Sequence, residues 1–201
     1  MDKTKYLDLE EVRLVRDTAE LSARRDIEQG RTKGPLAWMV VDLALSTGLR
    51  ASELSRINVA HIDLKRKLIM VTRSKRKTAR SEALSIDGQI AEHLREYIDW
   101  RKAIGRDHES LLTGKRGRLK PQGLALIWKA ALRAAKTPHY SIHKARHTCA
   151  THLYEKTKDL LLVKERLGHV NPATTANMYT HVTDKAMRDA IEGLYQTEGN
   201  K

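Results

Sequence analysis

Apolar positions along most of this chain recur three and four residues apart, the spacing of helices that bury one face. From Leu7 to about Ile27, Leu9, Val12, Leu14, Val15, Thr18 and Leu21 mark such a face, and early acidic residues suit the N-terminal dipole. Gly30 to Gly34 breaks the pattern, and Pro35 fits the first turn of a second helix. Leu36 to Leu45 is apolar nearly all round, which predicts a helix at the centre of the core. A glycine-marked break at Gly48 precedes a short helix starting near Arg50, with Glu53 one turn on to brace the arginine.

The period then changes. Asn58 to Asp63 reads as a turn into strands, Lys67 to Thr72 as a short strand, and Glu82 to Ile86 as its return across a basic turn. Asp87 caps a helix running to about Lys102, with Ile90, Leu94, Tyr97 and Ile98 inward, and Gly105 ends it. Further helices are predicted over Pro121 to Ala135 and from a Ser141 cap to Tyr154. Asp159 caps Leu160 to Leu167, with Gly168 as the C-cap. Pro172 opens a helix through Tyr179, and a last amphipathic helix spans Asp184 to Tyr195, with Ala186, Met187, Ala190, Ile191 and Leu194 on one side. The expected fold is one domain, mainly α with a small antiparallel β-sheet.

Charge narrows the partner. A formal net charge of +13 over 201 residues points to a polyanion, and the cations cluster at Lys65 to Lys67, Arg73 to Arg80 and Lys115 to Lys120. No 18-residue apolar run argues for a membrane span. The single cysteine, Cys149, excludes an internal disulfide and fits a reducing cytoplasm. With no phenylalanine and few aromatics, a duplex-backbone binder fits better than a base-stacking platform for single strands. The expected partner is therefore double-stranded DNA.

The chemistry-bearing residues lie between Ser141 and Thr183: His143-x-x-Arg146, then Leu167-Gly168-His169, then Tyr179. Arginine clamps a phosphate with a planar fork of donors, histidine moves protons near neutrality, and tyrosine can become covalently attached. His143 and His147 share a helix face at the spacing of zinc ligands, but a zincin needs glutamate at 144, where lysine stands. No glycine-rich phosphate loop appears either, so neither metal nor nucleotide is expected as a cofactor. A rival reading takes Leu160 to His181 as a helix-turn-helix of a DNA-binding regulator.

These boxes resemble the second half of the signature of the tyrosine recombinases, the phage-integrase family. Thr47-Gly48-Leu49-Arg50-Ala51-Ser52-Glu53-Leu54 resembles its first box, and Tyr179-Thr180-His181-Val182 its tyrosine box. Two departures stand out: Ala145 where the family commonly has leucine, and ten residues from His169 to Tyr179, one more than in many members. The resemblance implies a three-stranded sheet after the first box, and Leu111 to Thr113 with Gly114 to Arg118 as a strand and polar hairpin. It implies metal-free strand cleavage and rejoining through a 3′-phosphotyrosyl link, with Tyr179 as nucleophile.

By the same resemblance Arg50 and Arg146 contact the scissile phosphate, His143 accepts the tyrosine proton and His169 hydrogen-bonds the phosphate. A lysine on the β-turn protonates the leaving oxygen; alignment favours Lys77, with Lys75 as the alternative. Glu53 and His147 support the site, while Arg73, Lys75, Arg76 and Arg80 are expected to touch the DNA backbone. The resemblance further implies a tetramer on paired DNA sites, or a monomer when free. It accounts for residues 1–201 as a single catalytic domain without the family's N-terminal core-binding and arm-binding domains.

Overall fold

The computed structural model describes residues 6–75, 78–168 and 191–192, with the side chains at 74, 75, 78 and 79 outside that description. The first helix, α1 (Leu9–Glu28), begins at Asp8. The Asp8 carboxylate accepts from the Glu11 N–H, and the Glu11 carboxylate accepts from the Asp8 N–H, both at 2.9 Å. Two N–H groups that the helix cannot satisfy itself are thereby paired.

The buried face of α1 differs from the expected one. Val12, Val15, Ala19 and Ala23 point inward, while Leu9, Leu14 and Leu21 are about half exposed or more. The reason is close packing on α2 (Lys33–Thr47): a Cβ at Gly34 would sit 2.5 Å from the Ser22 carbonyl oxygen. Small residues win that face because large ones would hold the helices apart.

Helix α2 is the centre of the molecule, buried from Trp38 through Thr47 as its all-round apolar pattern predicts. It ends at Gly48, in the left-handed region at φ 62°. A Cβ there would lie 2.8 Å from Leu167 and 3.2 Å from the Cys149 sulfur. Gly48 thus answers two demands at once, backbone conformation and the close approach of two later helices.

After the short α3 (Ala51–Leu54) and a 3₁₀ turn at Val59–His61, β1 (Ile62–Asp63), β2 (Leu68–Lys75) and β3 (Thr78–Ser85) form an antiparallel sheet in that order. The register runs from Leu68 opposite Ser85 to Lys75 opposite Thr78. The β2–β3 ladder therefore continues into what reads as a basic turn, as far as Lys75 and Thr78. Ile69, Val71 and Leu84 face the core.

Asp87 caps α4 (Gly88–Ala103) by accepting from the Ile90 N–H at 2.8 Å, and Ile90, Leu94, Tyr97 and Ile98 are buried as expected. Leu111 and Leu112 are buried but lie ahead of the small hairpin of β4 (Thr113–Gly114) and β5 (Gly117–Arg118). Then come α5 (Pro121–Ala134), α6 (Ile142–Thr157) and α7 (Leu160–Leu167). Ser141 occupies the N-cap position of α6 but its side chain makes no capping bond, unlike Asp159, which accepts from the Leu161 and Leu162 N–H groups.

One large apolar cluster surrounds α2, and a smaller one joins Leu153, Leu162, Val163, Leu167 and Ile191. No described helix is long and apolar enough to cross a membrane. The helix expected from Pro172 through Tyr179, and all of the one over Asp184 to Tyr195 except Ile191 and Glu192, lie outside the described residues.

Candidate active site

Three backbone segments meet at the C-terminal end of α2: the Gly48 turn into α3, the middle of α6, and the end of α7. Arg50 sits at the N-cap of α3 with extended backbone (φ −68°, ψ 152°). Its N–H donates to Glu53 Oε2 and its Nη1 to Glu53 Oε1, each at 2.8 Å. Glu53 is almost sealed from solvent, whereas 38% of the Arg50 side chain remains accessible. The brace read from the sequence is therefore real, and one-sided: the carboxylate is inside and the guanidinium reaches out.

Arg146 arrives from α6 and is 3% exposed. Its Nη1 donates to the Gly48 carbonyl at 2.9 Å, its Nη2 to the Leu167 carbonyl, and Nη1 lies 3.9 Å from Glu53 Oε2. Glu53 thus lies between the two arginines. Burial, reinforced by the positive charge of Arg50, lowers the Arg146 pKa to about 10, with Glu53 opposing and Arg73 adding to the depression. A guanidinium held this way retains its charge at neutrality but lacks full compensation, so an incoming anion would be favoured there.

His143 lies one turn before Arg146 on α6 and is exposed. Its ring meets that of His147 edge to face, with centroids 4.9 Å apart. His147 is exposed as well and lies beside His143 rather than beneath it. Partial burial and the nearby charges of His143, Lys144 and Arg146 lower the His147 pKa, favouring its neutral form.

Arg73 departs from the expectation of a surface phosphate contact. It is 8% exposed, with Nη2 donating to the Arg166 carbonyl at 2.8 Å and Nε paired with Glu82. Arg80, opposite it in the β2–β3 register, is exposed as expected. Lys75 is the last residue of β2 and pairs with Thr78; Arg76, Lys77, His169 and Tyr179 lie outside the described residues. Gly168, in the left-handed region at φ 64°, closes α7 immediately before His169.

Arg166 is not singled out by any motif, although helical spacing puts it on the inner face of α7 with Leu162 and Val163. It is 1% exposed, its Nη1 donating to the Ser85 carbonyl and its Nη2 to the Ser46 carbonyl at 2.8 Å. It ties the end of α7 to both the sheet and α2. One arginine among many does not stand out when its partners lie 81 and 120 residues away.

The sequence profile of the phage integrase family matches residues 17–186, a span that includes every box named above. The chain belongs to the phage integrase family. It is 35% identical over 153 residues to the tyrosine recombinase XerC of Corynebacterium glutamicum, covering 76% of this chain and 48% of that protein. The chain thus spans about half the length of the relatives it matches. Among solved structures, XerA recombinase superposes with a TM-score of 0.66 at 18% identity, over 97% of this chain and 61% of that one. XerH recombinase, in a pre-cleavage complex with its difH substrate, gives 0.63 at 22% identity, over 83% of this chain and 47% of that one. The mainly helical integrase fold with its small antiparallel sheet is therefore this chain's fold.

Proposed function

We propose that this chain is the strand-cleaving part of a site-specific DNA recombinase, acting on duplex DNA through a covalent 3′-phosphotyrosyl intermediate. The observation that carries the reading is the pair of arginines, Arg50 and Arg146, joined through the buried Glu53 in a site with more guanidinium than carboxylate. Membership of a family whose relatives are named tyrosine recombinases supports the same reading.

In this scheme the Tyr179 oxygen attacks the scissile phosphorus as the P–O5′ bond breaks. Free tyrosine has a pKa of about 10 and is scarcely ionised at neutrality, so His143 accepts its proton. Arg50 and Arg146 stabilise charge on the non-bridging oxygens, a preorganised donor of this kind being worth about 3–4 kcal/mol. His169 hydrogen-bonds one of those oxygens. A lysine of the β2–β3 hairpin supplies the proton to the departing 5′-oxygen, with Lys77 the first candidate and Lys75 the second. Attack by the 5′-hydroxyl of a partner duplex reverses the step, so the phosphotyrosine bond needs no ATP. Residues 1–201 serve as one catalytic unit, and paired sites are exchanged within a tetramer, the assembly seen for lambda integrase on a Holliday junction. Arg80 and the hairpin cations Lys75 and Arg76 contact the DNA backbone, adding affinity without sequence information.

The test is a duplex carrying the crossover site with a nick just beyond the scissile phosphate, so that cleavage is trapped. A protein–DNA adduct that survives denaturation, forms in EDTA and is absent in Tyr179→Phe supports the proposal. Sequence-specific binding with no adduct would instead identify a DNA-binding regulator. On the same substrate, Lys77→Ala and Lys75→Ala separate the two lysines: the variant with the slower adduct formation marks the proton donor.

A further inference from the structure

Arg73 is buried at the junction of β2 and α7, and its environment is unusual for a strand arginine of a DNA-binding protein. Nη2 donates to the Arg166 carbonyl at 2.8 Å, across 93 residues of sequence, and Nε faces Glu82. Its side chain also lies against the turn that closes α7: a Cβ built on Gly168 would come within 2.4 Å of Arg73 Cδ and Nη1. The next carbonyl along, that of Leu167, is the acceptor for Arg146 Nη2. Two guanidiniums therefore grip consecutive carbonyls at the C-terminal end of one helix, where unpaired carbonyl oxygens carry partial negative charge.

We infer that Arg73 is a positioning residue for Arg146, acting through the end of α7 rather than through DNA. Resting on the recombinase reading above, the inference names a residue in that reaction beyond those that meet the phosphate. Arg73 fixes the Arg166 carbonyl and packs on Gly168, and so holds the Leu167 carbonyl where Arg146 can use it. Arg146 then has Nη1 on Gly48 and Nη2 on Leu167, two fixed points from opposite sides of the site. Without the strut the end of α7 can shift, and Arg146 shifts with it. A displacement of about 1 Å at a reacting centre costs on the order of 100-fold in rate.

The planar fork matters as much as the charge. A lysine at 73 keeps one positive charge but cannot face Glu82 and the Arg166 carbonyl with separate nitrogens. A residue that met DNA phosphate as a point charge would tolerate that change. The two readings of Arg73 thus make opposite forecasts.

The experiment compares wild type, Arg73→Lys, Arg73→Ala, Arg146→Ala and the Arg73→Ala/Arg146→Ala pair on the nicked duplex, following adduct formation in a single turnover. DNA affinity is measured across a salt series. Expected for a strut are adduct formation slowed about 10–100-fold in both Arg73 variants, an unchanged salt slope, and a double variant no slower than Arg146→Ala alone. Hydrogen exchange at Leu167 and Gly168 should quicken in Arg73→Ala while α2 stays protected. If Arg73→Lys restores the rate, or if Arg73→Ala lowers the salt slope by about one, Arg73 is a phosphate contact and the inference is overturned. Additive losses in the double variant overturn it too. Should wild type form no adduct, the recombinase reading fails; the hydrogen-exchange comparison then still decides whether Arg73 holds the end of α7.

Discussion

Among the described residues, the carboxylates of Asp42 and Glu53 are almost wholly sealed inside the protein and each faces two basic side chains, yet their neighbourhoods differ in kind. Asp42, in the middle of α2, accepts from Arg16 Nε at 2.8 Å and is bonded to His93 Nδ1. Arg16 reaches on to Gln89 at 3.1 Å, and the His93 ring lies 4.7 Å from that of Trp38. Arg16, Asp42, His93 and Trp38 are all buried, and the Arg16 and Asp42 charges close on each other. Glu53, on α3 beyond the C-terminal end of α2, faces Arg50 and Arg146, but Arg50 opens to solvent, and the Arg73 charge further depresses the Arg146 pKa. The first arrangement is a closed network and the second an electropositive excess. Burying charge is costly unless it is paired, so a network meant only to hold the fold is balanced internally. A site meant to receive a polyanion leaves part of that balance to the ligand.

The sharpest way to break this comparison is at the two carboxylate neighbourhoods themselves. Asp42→Ala removes the buried carboxylate that Arg16 and His93 share and should cost about 3–5 kcal/mol of stability, measured by urea unfolding. Adduct formation per folded molecule should stay near that of wild type. Arg146→Ala should do the reverse, slowing adduct formation about 10²–10³-fold with a smaller loss of stability than Asp42→Ala. Equal stability losses, with rates unchanged in both, would dissolve the distinction.

A smaller effect should come from anions. Phosphate or sulfate binding to the folded site stabilises it by about 1.4 kcal/mol at ten times its Kd, read as a rise in Tm against chloride of equal ionic strength. The rise should persist in His93→Gln and vanish in Arg146→Ala. If both variants keep it, the anion binds elsewhere and the excess at Glu53 has no special standing.

The smallest effect is a pH dependence of the closed network. Burial works to lower the His93 pKa, but the hydrogen bond and charge of Asp42 outweigh it and the net shift is upward. A histidine raised on folding adds stability that is complete below its unfolded pKa of about 6.5 and is lost as pH rises through the folded value. Asp42 shifts the other way: burial raises its pKa, but Arg16 and His93 prevail and lower it. Its contribution holds above the ordinary carboxylate range and disappears as pH falls through the depressed value. Stability of the wild type should therefore decline from pH 6 to 9 by an amount that His93→Gln removes. An identical decline in that variant would place the titrating group elsewhere.

Much of the site is legible in the sequence alone. The Gly48 break, Arg50 at a helix start, Glu53 bracing it and Arg146 on a helix all appear where the pattern of residues puts them. So do the caps at Asp87 and Asp159 and the left-handed Gly168. Less legible is which face a residue turns. Leu9, Leu14 and Leu21 have the right spacing for an inner face, but close packing at Gly34 selects the alanine side of α1 instead. Arg73 is one cation in a basic run, and only the alternation of β2, which places it on the face of Ile69 and Val71, marks it as inward.

The division follows from the reach of each interaction. Helical period, capping and C-terminal glycines depend on residues within about four positions, so the sequence alone determined the order of the described elements, the strongly basic charge and the boxes of the phage integrase family. Tertiary structure decided which charges meet. Arg146 reaches Gly48 across 98 residues, Arg73 reaches Arg166 across 93, and His93 reaches Asp42 across 51. Such pairings exist only once α2 is buried and the later helices have closed over it, because packing, not sequence neighbourhood, brings their atoms into range.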